Sequence, residues 1–278
     1  MQNNTRHFGV AVLMMLAVSA SCKPASCQVP EIQRVRRTRT VDSRPVKNAA
    51  IRPLTDETPV AKVLRWGDVM LKRADAIDDY SCTFVKRERI SGRLRERQIA
   101  HARVRHQPFS VYVAFQSPSS MAGQAAVWVH GQNNGELLAK GTGLQSVLGT
   151  VSLDPNGYLA MKGNLHPITD MGIRNLVQKM ITVTKHDSQY GQLKIAFRSG
   201  AKVGDRACTC IQFDHQVARK GLSYRMSRIY VDEKLALPIR FEGYGWPQTL
   251  GGDPVLIEEY TYANLKFNNG FTDSSFRL

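Results

Sequence analysis

Acidic side chains, cysteines and long apolar runs are all in short supply in this chain, and each shortage removes a class of protein. Aspartates and glutamates number 23 against 38 lysines and arginines, a formal charge of +15 over 278 residues. That excess points to anionic surfaces as partners. A single run is apolar for any distance, Phe8 to Ala20. It falls short of the ~20 residues that a membrane-spanning helix needs. The body of the chain is therefore expected to be soluble, or held only at its N-terminus. Cysteine amounts to five residues, Cys22, Cys27, Cys82, Cys208 and Cys210. The Cys208-x-Cys210 pair has no histidine or further cysteine beside it, which leaves little for a structural zinc site. Internal repeats and an alternating strand–helix rhythm are both missing, and a parallel nucleotide-binding sheet is excluded with them.

What is present starts with an export signal. Arg6 and His7 precede the apolar run, and small residues follow at Ser19, Ala20 and Ser21. This is the order of a secretory signal peptide, residues 1–21. Two cleavage modes fit. Cleavage after Ala20 or Ser21 releases a soluble protein. Alternatively "SASC" is a lipoprotein box and Cys22 the lipidated residue, although Ser19 stands where such boxes usually carry Leu. The next stretch, residues 22–57, is basic and proline-rich. Lys23, Arg34, Arg36, Arg37, Arg39, Arg44, Lys47 and Arg52 stand against Glu31 and Asp42. It reads as a disordered tether, either a plain solvated linker or a device drawn to anionic membrane or wall polymers. An exported destination argues against nucleic acid as its partner.

Residues 58–278 have the composition of one globular domain, large enough to bury roughly 70% of its unfolded surface without staples. Thr55 to Ala76 has helical spacing, with Thr58 as cap and Pro59 in the first turn. From Tyr80 the period becomes two. Tyr80–Ile90 and Leu94–His106 form a hairpin about "SGR", and Pro108–Gln116 and Ala125–Gly131 follow as strands. Gly141 to Gly163 breaks the rhythm. A second helix is expected over Met171–Thr184, capped by Thr169 or Asp170. Strands resume at "QLKIAF" and "RACTCIQFDH", then a hairpin over Leu222–Trp246 turning at Glu233–Ala236, and a last strand over Pro254–Asn268. The pattern is α+β, mostly β, an antiparallel meander with helices near the start and the middle.

The catalytic motifs do not assemble. In "LGTVSLDPNGYLAMKG", Leu148 to Gly163, Lys162 lacks the glycine spacing of a phosphate loop and Ser152 lacks a Gly-x-Ser-x-Gly elbow. Asp154-Pro155-Asn156-Gly157 reads as a type I turn. Gly149, Gly163 and Gly172 read as helix ends or close approaches. The stretch is a turn and a cover, and a hydrolase built from Ser152 or Thr150 with His166 and Asp170 is the minor alternative. His101, His106, His130, His166, His186 and His215 show no metal-binding spacing, so no metal and no cofactor are expected. His101, Arg97, Arg103 and Arg105 form a solvated strand face. Glu258 and Glu259 point to opposite faces of a strand. Cys208 and Cys210 share a face and are awkward partners for each other, so each either pairs with Cys82 or stays a buried free thiol.

Two stretches carry a resemblance. "RIYVDEKLALPIRFEGYGWP" and "LIEEYTYANLKFNNGF" resemble the LolA-like outer-membrane lipoprotein-sorting proteins, through Asp232, Leu237, Pro238, Phe241, Tyr244, Tyr262, Leu265 and Asn268. "YSCTFVKRERISGRL", "PFSVYVAF", "LGTVSLDPNGYLAMKGNLHPIT" and the C-terminal strands together look like bacterial domain-of-unknown-function family 1571, over roughly Val60 to Phe271. The LolA-like resemblance implies a curved, half-open antiparallel sheet, apolar on its concave face and covered by helices, whose cavity holds acyl chains. Lipid or lipoprotein acyl chains would be the partner and the periplasm or envelope the location, without catalysis. Candidate lining residues are then Phe84, Phe109, Val111, Val113, Phe115, Val127, Val129, Ile229 and Val231. Candidate covers are the Val60–Asp79 and Met171–Thr184 helices and the loop carrying Leu144, Leu148, Asp154, Pro155, Gly157 and Met161. A lipidated Cys22 would suit a receptor better than a carrier. The other reading is a structural or interaction protein of the envelope with a filled core and a docking tether.

Overall fold

The computed structural model describes residues 56–143, 149–249 and 251–278. The expected signal peptide, nearly all of the tether, Cys22 and the loop residues Leu144 and Leu148 lie outside the described residues.

Among the described residues twelve strands form one unclosed, curved, antiparallel sheet. In chain order they are β1 (Asp79–Ile90), β2 (Arg93–Leu94), β3 (Gln98–Arg105), β4 (Ser110–Ser117), β5 (Ala125–Val129), β6 (Leu137–Lys140), β7 (Thr150–Leu153), β8 (Leu193–Val203), β9 (Arg206–His215), β10 (Met226–Asp232), β11 (Leu237–Gly245) and β12 (Val255–Phe267). Their spatial order is β7-β6-β5-β4-β3-β1-β12-β11-β10-β9-β8, with β2 paired to β1. The two meanders therefore meet where the first long strand pairs with the last. Register slips in five of these pairings, between Ser81 and Thr83 for one, and such bulges bend and twist a sheet.

Among the described residues three α-helices complete the fold: α1 (Pro59–Asp75), the single turn α2 (Tyr158–Met161) and α3 (Ile173–Ser188). Thr58 caps α1 as expected, its hydroxyl accepting from the Ala61 N–H at 3.2 Å. Val63, Gly67, Met70 and Ala74 recur at helical spacing and are its buried face. Gly67 is the point of closest approach to α3, for a Cβ there would lie 2.5 Å from Ile181 Cγ1. The start of α3 differs from expectation. Neither Thr169 nor Asp170 caps it; Gly172 does, at φ 120°, with no side-chain cap. The backbone N–H groups of Gly172 and Ile173 donate instead to the hydroxyls of Tyr262 and Tyr80, at 3.1 and 2.9 Å. Two buried strand tyrosines thus satisfy donors that a helix start leaves orphaned.

Side chains alternate between the sheet's faces. On the inner face, Tyr80, Cys82, Phe84, Ala102, Val104, Val111 and Val113 pack with Ala74 and Ile173. Beside them, Ile211, Phe213, Ile229 and Val231 pack under α1 and α3 through Val63, Met70, Val177, Met180 and Ile181. The outer face carries a charge ladder. Glu259 takes Arg97 at 3.0 Å and Arg240 at 2.5 Å, and Arg240 also reaches Glu242 at 2.9 Å.

The Arg103 and Arg105 face is not simply solvated. The C-terminal tail folds onto it, with Arg103 5.8 Å over Phe271 and Arg105 4.9 Å over Phe276. The buried Asp79 carboxylate fixes this tail by accepting from the N–H groups of Asn269 and Phe271, at 2.6 and 2.8 Å. All three described cysteines are buried and free. Cys82 belongs to the inner core, whereas Cys208 and Cys210 alternate with the inner-core Ile211 and point to the other face. Either pairing with Cys82 would have to cross the sheet.

Candidate ligand cavity

The inner face is not filled to its end. Where β1, β12, β11 and β10 run out toward Glu88, Glu258, Tyr224 and Ser227, a cavity of about 1670 Å³ opens between the sheet, α3 and the segment from Gly149 to Met171. Its floor is apolar and partly made of small side chains. Phe84, Val113 and Phe115 lie beside Ala126, Ala139 and Val151, with Phe213, Ile229 and Phe241 on the far wall. Ala126 and Ala139 face each other across β5 and β6 and end at Cβ, which leaves space above them.

The nine expected lining residues divide by parity and depth. Phe84, Val113, Phe115 and Ile229 line the cavity. Val111 and Val231 share its face but lie in packed core, and Phe109 packs against that core and against Trp128. Val127 and Val129 point the other way. Tyr112 pairs with Val127 and Ser110 with Val129, so both valines sit on the outer face, under Phe271 and Phe276. Of the expected cover, Pro155 lines the cavity, joined by Leu159 and Ala160. Asp154 holds the turn: its carboxylate accepts from the Asn156 N–H at 2.9 Å and its carbonyl from the Gly157 N–H at 2.9 Å. Met161 is half-buried and does not line the cavity.

One wall is polar, and the sequence reading did not find it. Glu88 and Glu258 are register partners on β1 and β12, both buried and both facing inward. Tyr260 lies between them, its hydroxyl 2.5 Å from Glu88 Oε1 and 2.8 Å from Glu258 Oε2. A phenol has one proton, so it serves one carboxylate at a time. Glu258 also accepts from the Tyr224 hydroxyl and from His166 Nε2, the latter at 2.7 Å. Lys179 stands 3.5 Å from His166 Nδ1, on the far side of the ring from Glu258. Glu88 takes the Lys86 ammonium at 3.0 Å and the Leu165 N–H at 3.3 Å. Lys86 also reaches Asn164 Oδ1 at 2.5 Å.

The polar wall is therefore a latch that holds residues 164–166 against the sheet. Burial by itself would raise the Glu258 carboxyl, but the hydrogen bonds from His166, Tyr224 and Tyr260 outweigh it and bring it below its ordinary value. Burial and the adjoining carboxylates push the Tyr260 and Tyr224 phenols far up. Across the cavity, Asp187 joins α3 to β9 through His215 Nε2 at 2.9 Å. The register partnership of Glu88 and Glu258 follows from residues far apart in the chain. A local signal did exist: Phe84, Lys86 and Glu88 alternate as one face, so two charges continue an apolar stripe.

The hydrolase alternative loses its geometry here. Ser152 donates to Glu136 at 2.5 Å, and His166 is taken up by Glu258, with Asp170 4.0 Å away. Among the described residues no cluster of His, Cys, Asp or Glu has the arrangement to hold a metal ion. No helix among them is long and apolar enough to cross a membrane.

An open antiparallel half-barrel with a helix-covered apolar cavity is the class of protein that this fold and site define. The chain belongs to the family described as Protein of unknown function (DUF1571), whose model matches residues 77–278. Among solved structures it is similar to an outer membrane lipoprotein-sorting protein domain from Vibrio parahaemolyticus, at 11% identity and a TM-score of 0.39, covering 78% of this chain and 97% of that one. It is also similar to the lipoprotein LppX of Mycobacterium tuberculosis, at 11% identity and a TM-score of 0.44, with 76% and 97% covered. A LolA superfamily protein from Nitrosomonas europaea matches at 13% identity and a TM-score of 0.30, with 76% and 97% covered. No curated protein matches.

Proposed function

We propose that the protein is a non-catalytic envelope protein that holds the acyl chain of a lipid or lipoprotein in the half-barrel cavity. The observation that carries this is the cavity itself. At about 1670 Å³ it exceeds the roughly 300–1,000 Å³ of ordinary small-molecule pockets, and its floor is aliphatic and aromatic. Affinity for such a ligand comes from apolar area, at about 25 cal/mol per Å² removed from water, and needs few polar contacts. The signal peptide of residues 1–21 and the basic tether of residues 22–57 would deliver it to the envelope, with or without a lipid on Cys22.

The test is uptake of an apolar fluorescent probe, together with native mass spectrometry of protein purified from its own envelope. Bound lipid that denaturation releases is the expected result. Ala139→Trp, which fills the floor, and Phe115→Asp, which charges it, should each weaken probe binding about tenfold or more, the loss of roughly one buried side chain's worth of contact. A clean apo mass together with no probe uptake by the unaltered protein would overturn the proposal.

A further inference from the structure

The rim of the cavity differs in character from its floor. Tyr158 and Leu159 are the most exposed of the large apolar side chains described, at 78% and 65%. They are neighbours on α2, and Leu159 also lines the cavity. A short helix that keeps two large apolar groups in water, at the entrance to an apolar chamber, has left them unburied in the free protein. On the same cavity lining the exposed cations are Arg93, Arg95, Lys140, Lys162 and Lys179. None of the five is ion-paired among the described residues; Lys179 meets only the His166 ring. The exposed carboxylates on the same lining are Glu96 and Asp170.

We infer that this rim docks on an anionic lipid bilayer, with Tyr158 and Leu159 entering the headgroup region and the cations lying over it. Charge complementarity selects this occupant. The chain's own basic segment, residues 23–52, would be repelled by a cationic rim, and so would a second copy of a chain with a charge of +15. A bilayer matches both parts, since its surface attracts lysines and arginines while its interior takes apolar side chains. Continuity adds to this, because Leu159 belongs to both the rim and the cavity wall. Docking would set the chamber's entrance against the layer from which an acyl chain comes or to which it goes.

The inference extends the acyl-chain reading but is tested separately from it. Vesicles of phosphatidylcholine, with and without phosphatidylglycerol, are floated with the purified full chain, with Tyr158→Ser/Leu159→Ser and with Lys140→Glu/Lys162→Glu. All three keep the basic N-terminal segment, so differences between them report the rim. The unaltered chain should prefer phosphatidylglycerol vesicles and lose them at high salt. Each double variant should bind them about tenfold less. An unchanged circular-dichroism spectrum and an unchanged melting temperature in both double variants show that the fold is intact. Variants that float like the unaltered chain would overturn the inference, as would equal binding to both vesicle types or retention through an anionic protein in place of lipid. Lost flotation in the variants with no probe uptake by any chain would sink the acyl-chain reading and leave the docking surface standing.

Discussion

Glu258 is 1% exposed and accepts hydrogen bonds from His166, Tyr224 and Tyr260, so its charge is held by three separate elements. Its carboxyl lies below the ordinary value in the folded chain. A lowered folded value means stability that is complete above the unfolded value of about 4.3 and drains away as pH falls through the folded one. Glu258→Gln should cost about 3 kcal/mol near neutral pH, the scale of breaking one half of a buried pair. It should also flatten the acid side of a melting-temperature profile. An unchanged acid limb would show that the latch does not depend on this charge. At the same scale, burial pushes the Cys82 thiol up to about 12 and the Cys208 thiol up to about 11. Both should resist maleimide in the folded protein and label fully in denaturant. Rapid native labelling of Cys82 would mean that the inner core opens.

Among the elements, α1 and α3 meet where Gly67 leaves no room for a side chain. Gly67→Val should therefore force the helices apart and destabilise by about 1–3 kcal/mol, readable as a shift in urea midpoint without a change in slope. Most elements were legible because each has a strong local signature. Thr58-Pro59 announces α1, and Val111, Val113 and Phe115 alternate cleanly along β4. β6 and β7 were not legible, being four-residue strands in a glycine-punctuated stretch with little room for a period to show. The start of α3 was misread for a different reason. Tyr80 and Tyr262 satisfy its first donors from the sheet, so no local cap residue is needed. The cavity floor was half legible. Val111, Val113 and Phe115 visibly share one face of β4, but which face turns inward, and its phase relative to β5, depends on pairings such as Tyr112 with Val127, which turns Val127 outward.

For the whole molecule, a ligand that binds only the folded state must raise its stability. A saturating apolar probe at about 100 times its dissociation constant adds roughly 2.7 kcal/mol. The melting temperature should rise with probe concentration, and in Ala139→Trp a tenfold weaker affinity should cut the stabilisation at the same concentration to about 1.4 kcal/mol. α1 lies before the residues that the family model matches, yet it seals the second core cluster through Val63 and Met70. Removing residues 59–75 should uncover Ile211, Phe213, Ile229 and Val231 and leave an aggregating chain, which light scattering would detect.

The pairing of β1 with β12 has a consequence in time. The wall that carries Glu88 and Glu258 is a seam, and the Tyr260–Glu88 contact joins residues 172 positions apart. A chain emerging N-terminus first has its first two-thirds in hand while that wall is still missing its second half. The chamber is thus among the last things to exist, and any chain ending before residue 258 lacks half of the polar latch.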